Sequence, residues 1–263
     1  MAQLIKVNEC ISRYEGDLQR YANRFITLKQ RRWLQWRDQF EKPQDDRSVR
    51  LAKRFSSISN IEQLKSAYYK WLFDQQLIWA TSTAHFYSEN HEDLSRVTWL
   101  QFCLSKLNDV TFILYKPVLL MKQTTLQLDS LIITNDTLWC VKPLIGEDSS
   151  VFQEINNRLW REMKREESPQ FINPFISLKR TKTALRTFLQ TQNLSMPIKF
   201  LIFAPNSYVE FVHHDTDIEI CDSRDKNQLS EKIGRHSSTL KSLQIITTNR
   251  LLSKMATTAI KRD

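Results

Sequence analysis

The chain has 263 residues, 41% hydrophobic and 11% aromatic, with a net charge of +9 and a pI of about 9.4. That is the make-up of a folded protein, either one large domain or a compact domain with an extension, and its positive balance permits a nucleic-acid or acidic partner. With only Gly16, Gly146 and Gly234, it lacks the clustered glycines that let backbone N–H groups close on a phosphate, so a P-loop, a dinucleotide fingerprint and a kinase-type loop are excluded.

Residues 3–41 predict one long helix, because Ile11, Tyr14, Leu18, Tyr21, Phe25 and Leu28 recur three and four apart, with Gly16 weakening it without breaking it. "KQRRWLQWR" (29–37) interleaves basic and aromatic residues, as a phosphate grip with a stacking platform would. Trp33 and Trp36, however, fall where the apolar seam continues, and they read as core. "KPQDD" (42–46) is a turn, and a second helix carries Leu51, Phe55, Ile58, Leu64, Tyr68 and Leu72, with "SSISN" (56–60) as an interruption. Residues 1–87 thus read as a helical hairpin or bundle, with Tyr21 and Phe25 facing the partner helix and Arg31, Arg32 and Arg37 exposed. Before residue 89 there are 15 Lys/Arg against 9 Asp/Glu, which suits an anionic partner and also an ordinary solvated surface.

Leu94, Val97, Leu100, Leu104 and Leu107 mark another amphipathic helix, with Glu92 and Asp93 near its N-terminus. Strand-like runs follow at 110–121, 126–134 and 137–145, with a hairpin turn at "TND" (134–136). Residues 151–167 read as a polar helix, and a further helix opens at Asn173-Pro174. "PIKFLIFAP" (197–205) is a buried strand, "SYVEFV" (207–212) an edge strand, and 216–263 a mainly helical extension. "VHHDTD" (212–217) sets His213 and His214 beside aspartates, but adjacent residues of a strand point to opposite faces, so a polar turn is expected rather than a metal site. Cys10, Cys103, Cys140 and Cys221 form no CxxC pair, which argues against zinc and against a disulfide framework, and for a cytoplasmic location. No run approaches the roughly 18 apolar residues of a membrane helix, and "MAQLIKVNEC" lacks a signal-peptide core, so no membrane partner is expected.

"LQLDSLIIT", "LWCVKPLIG", "NPFISLKRTKTALRTFL" and "MPIKFLIFAPNSYVEF", in that order, resemble the nuclease-related domain (NERD) family of the PD-(D/E)xK nuclease-like superfamily. The N-terminal part is similar to the helical leader of proteins carrying this domain in Bacillus-type bacteria. The resemblance covers residues 88–215 and implies an α+β fold: a helical N-terminal region followed by a restriction-endonuclease-like α-β-β-β-α-β core with a mixed sheet. In such a nuclease two carboxylates on neighbouring strands bind Mg²⁺, and a lysine two residues after the second positions the attacking water. Asp129 matches the first carboxylate and Lys142 the lysine, whereas Cys140 stands where the second carboxylate is expected. A neutral thiol is a poor ligand for a hard cation. The family's glutamine after Asn-Pro is missing too, with Ser177 and Leu178 in its place. Glu147, Asp148, Glu154, Glu92 or Asp93 would have to supply a migrated second ligand to Asp129.

The alternative for Asp129 is a strand residue that points to solvent or pairs with Lys142. Lys179, Arg180, Lys182 and Arg186 decorate a helix whose Leu178, Leu185 and Leu189 pack inward, and in nuclease-like folds such a helix meets the nucleic-acid backbone. The leading expectation is a degenerate NERD-type protein without catalysis and without cofactor, acting in DNA or RNA binding or as a scaffold. The runner-up is a Mg²⁺-dependent DNA endonuclease with a migrated carboxylate. A third reading is a module that binds protein, or itself, through the N-terminal helices.

Overall fold

The structure, a computed structural model, describes residues 1–41, 58–90, 92–211, 217–233 and 239–262. The expected turn at 42–46, the start of the second helix with Leu51 and Phe55, and His213 and His214 lie outside the described residues. The chain is mixed α and β, with N-terminal helices and a mixed central sheet.

Residues 3–7 correct the expectation of a helix from residue 3. They form strand β1 (Gln3–Val7), buried along its whole length. A five-residue run with two polar members, Gln3 and Lys6, carries no readable period, and a strand covered on both faces does not alternate. The polar members are satisfied internally: Tyr14 Oη donates to Gln3 Oε1, and Lys6 Nζ donates to Glu15 Oε1 (2.5 Å) and Thr257 Oγ1 (2.8 Å). A short 3-10 turn at Arg13–Glu15 follows, with Gly16 at its end, so Gly16 precedes the long helix instead of interrupting it.

Helix α1 (Leu18–Glu41) starts where Asp17 Oδ1 accepts the Arg20 N–H, and α2 (Ile61–Thr81) starts where Asn60 accepts the Gln63 N–H. They form the expected antiparallel hairpin: Tyr21 and Phe25 meet Trp79 late in α2, while Trp33 and Trp36 meet Tyr68 early in it. Arg31, Arg32 and Arg37 are exposed.

After strand β2 (Phe86–Tyr87) and helix α3 (Thr98–Lys106), the 110–121 run splits into β3 (Phe112–Tyr115) and β4 (Val118–Leu120) at Lys116, whose φ is 41°. The 126–134 run also splits, into β5 (Thr125–Gln127) and β6 (Ser130–Ile133), and Asp129 sits at the break. β7 (Leu138–Pro143) pairs with β6 across the expected 134–136 turn, closed by Thr134 N–H to Thr137 O.

The helix expected at 151–167 is instead a hairpin of β8 (Val151–Glu154) and β9 (Leu159–Met163), joined on its outer side by β10 (Gln170–Ile172). Asn156 makes the turn by accepting the N–H groups of Arg158 and Leu159, and Phe152 and Trp160 fill the interior. Gly146 lets the preceding loop close on this hairpin, since a Cβ there would stand 2.3 Å from Glu162 Oε1.

Helix α4 (Pro174–Thr191) opens at Asn173-Pro174 as expected, and β11 (Ile198–Ala204) is the expected buried strand. β12 (Tyr208–Glu210) is the expected edge strand, at the rim of the β8–β10 sheet. The segment expected to be mainly helical begins with a strand, β13 (Ile218–Asp222), whose β-branched residues extend the central sheet. Helices α5 (Leu229–Ile233) and α6 (Ser242–Leu252) follow, and β14 (Ile260–Lys261) pairs with β2.

The central sheet runs β1-β3-β6-β7-β11-β13, with β3, β6 and β7 antiparallel in turn and the other neighbours parallel. Its two faces are separately covered. Leu131, Cys140 and Phe200 meet α4, α6 and the start of α1, while Ile132, Trp139, Val141 and Phe203 meet α2, α3 and α5. Among the described residues no helix is long and apolar enough to cross a membrane.

Candidate functional site around Asp129

The β6–β7 register pairs Leu131 with Cys140 and Ser130 with Val141, so the next pair along the ladder would be Asp129 with Lys142. Period-two alternation then sends Asp129, Cys140 and Lys142 to the α4 face. The side chains meet there. Lys142 Nζ donates to Asp129 Oδ1 at 3.2 Å, with Asp129 only 10% exposed.

Helix α4 completes the surroundings of the carboxylate. Ser177 Oγ donates to Asp129 Oδ1 (3.2 Å) and Thr181 Oγ1 to Oδ2 (3.0 Å), while the Asp129 backbone N–H donates to Thr181 Oγ1 (3.0 Å). Ser177 and Thr181 are four residues apart, one helical turn, and therefore share the face turned to the sheet. Three donors occupy three of the roughly four acceptor positions of a carboxylate. Of the two structural alternatives for Asp129, the pairing with Lys142 holds. The solvent-facing one is corrected, because the strand is interrupted at Leu128–Asp129 and the carboxylate there accepts from Ser177 and Thr181 of α4.

Cys140 is fully buried, opposite Phe200 on β11. Burial, and then the nearby Asp129 carboxylate, push its thiol well above the ordinary range, with Lys182 pulling weakly the other way. It is a neutral thiol at physiological pH. A hard divalent cation would therefore meet one carboxylate, already neutralised by Lys142, and a protonated sulfur.

Glu92, Asp93, Glu147 and Glu154 among the substitute carboxylates have other partners. Glu92 accepts from Tyr115 Oη and pairs with Lys116 at 3.1 Å, and Asp93 caps the turn at Leu94–Arg96. Glu147 pairs with Lys164 at 3.1 Å, and Asp148 is exposed. Glu154 accepts from Asn173 Nδ2, whose residue stands one helical turn before Ser177. Among the described residues, no three His, Cys, Asp or Glu side chains are grouped so as to hold a metal ion. The residues around Asp129 do not fit Mg²⁺.

The basic residues of α4 divide. Lys179, Arg180 and Arg186 are exposed. Lys182 is instead directed to Asp217 (2.8 Å) and lies 4.9 Å from the centre of the Phe200 ring. Thr181 entered no sequence expectation, and Asp217 entered only as a member of the polar turn expected at 212–217. Thr181 had a readable signal, as a small polar residue in the inward-facing row with Leu178 and Leu185, whereas Asp217 is brought to Lys182 only by the sheet crossover.

No protein-family model, no curated protein and no solved structure matches this chain.

Proposed function

We propose that this is a nuclease-related protein whose catalytic apparatus is not assembled, and that it acts by binding nucleic acid, as a scaffold on it, without cutting it. The observation that carries the reading is the state of Asp129: its carboxylate holds Lys142, Ser177 and Thr181, and its strand neighbour in the nuclease pattern is the buried thiol Cys140. The run α3, β3, β6, β7, α4, β11, with two antiparallel pairings and then a parallel one, supports a restriction-endonuclease-like core as the origin of that arrangement. The net charge of +9 supports an anionic partner.

Purified protein incubated with plasmid or linear DNA and Mg²⁺ or Mn²⁺ is expected to leave the DNA intact. Cleavage that disappears in both Asp129→Ala and Lys142→Ala would overturn the reading in favour of an endonuclease with a migrated ligand.

A further inference from the structure

From residue 18 to residue 37, α1 carries Arg20, Arg24, Lys29, Arg31, Arg32 and Arg37 and no carboxylate. Lys29 pairs with Asp109 and Arg37 with Glu41. Arg20, Arg24, Arg31 and Arg32 are exposed and have no carboxylate partner among the described residues. Three of these four line one groove of about 560 Å³ between α1 and α2: Arg24, Arg31 and Arg32, with Leu28, Gln35 and Trp79. Arg24 and Arg31 are seven residues apart, about 10 Å along the axis on the same face.

The floor of this groove is apolar. Trp79 is fixed by edge contacts with Tyr21 (5.9 Å) and Phe25 (6.3 Å), and Arg13 lies over its ring at 5.4 Å. The Arg24 guanidinium lies 5.7 Å from the centre of the Tyr21 ring. Packing against the Tyr21 ring limits the freedom Arg24 would lose on binding.

We infer that this α1–α2 groove is a binding site for single-stranded nucleic acid, with Arg24, Arg31 and Arg32 on the phosphates and Leu28 and Trp79 receiving a base. The inference rests on the nucleic-acid reading above and locates it away from the Asp129 site. An apolar floor inside a guanidinium rim matches a strand with unpaired bases, which offers anionic phosphates and flat apolar rings together. A duplex keeps its bases stacked inside, and an acidic peptide brings carboxylates without the rings.

The test is fluorescence anisotropy of the full chain with a labelled single strand of about 20 nucleotides, longer than a typical single-strand site. Arg24→Gln/Arg31→Gln is compared with Lys179→Gln/Arg180→Gln on α4. All four side chains are exposed, so circular dichroism and melting should match the wild type. The α1 pair is expected to weaken binding about tenfold and to lower the slope of log K against log salt by about 1.4, two phosphate contacts at about 0.7 each. The α4 pair should change affinity less than about threefold, and duplex of the same sequence or polyglutamate should compete poorly. Loss of binding in the α4 pair with the α1 pair unchanged would overturn the groove and leave the nucleic-acid reading standing. Wild-type protein that binds no strand at all would overturn both. Equal competition by duplex would remove base recognition, and displacement by polyglutamate would assign the groove to an acidic peptide.

Discussion

The Asp129 site under α4 and the arginine face of α1 are both charged regions laid over an apolar layer, and they treat charge in opposite ways. Under α4 each charge has an internal partner: Asp129 holds Lys142, Ser177 and Thr181, and Lys182 holds Asp217. Along α1, Arg24, Arg31 and Arg32 have no carboxylate partner among the described residues, although Arg24 lies over Tyr21 and all three line one groove with Trp79. A charge satisfied inside the fold contributes to stability and has little left for a ligand. One held ready at the surface does the reverse. Motif position alone would have sent the functional search to the first region, and the arrangement of partners sends it to the second.

The largest expected effect separates the buried seam of α1 from its exposed rim. Phe25 is 1% exposed in the seam with Trp79, so Phe25→Asp buries an uncompensated carboxylate in place of an aromatic ring and should cost about 4 kcal/mol. Arg31→Ala, exposed at the rim of the groove beside that seam, should stay within about 0.5 kcal/mol. Denaturant melts of the two variants check this, and a folded, stable Phe25→Asp protein would mean the seam has been assigned to the wrong side.

A smaller effect belongs to α4. The hydrogen bond from Lys182, with its charge and those of Lys199 and Arg186, holds the Asp217 carboxyl below the usual carboxylate range. A carboxyl whose folded-state pKa lies below its unfolded value contributes stability above the unfolded value and loses it as pH falls through the folded one. Lys182→Met should therefore melt slightly below wild type at neutral pH, and the gap should close as pH drops below about 3.8, the ordinary value for aspartate. A gap that persists in acid would assign the role of Lys182 to packing on Phe200 instead. The effect stays small because Asp217 is 43% exposed and water screens the pair.

What the sequence made legible follows the reach of its signals. The α1–α2 hairpin was readable because a seam of three- and four-residue steps must bury itself nearby, and Trp33 and Trp36 extend it. The α4 start was readable from Asn173-Pro174, and the β6–β7 turn from residues 134–136. The strand at 3–7 was not, because five buried residues show no period. The β8–β9 hairpin was hidden by its polar members, Gln153, Glu154, Arg161 and Glu162, until Asn156 is seen to make the turn. At the candidate site, Asp129 paired with Lys142 was one of the two alternatives the sequence left open and Cys140 was placed by the family resemblance, whereas the closing of Ser177 and Thr181 over the carboxylate depends on how α4 docks, which no local pattern records.

The central claim is that Asp129 is a structural anchor and not a metal ligand, and thermal unfolding of wild type and Asp129→Asn, each with and without Mn²⁺, tests it most directly. Removing the charge that Lys142, Ser177 and Thr181 share should cost about 2 kcal/mol, about 4–8 °C in a chain of this size. Mn²⁺ should leave both melting temperatures unchanged. A wild-type protein that Mn²⁺ stabilises, as any ligand of the native state must, together with an Asp129→Asn variant that melts higher than wild type and no longer responds to the metal, would contradict the account and make this carboxylate an active-site group.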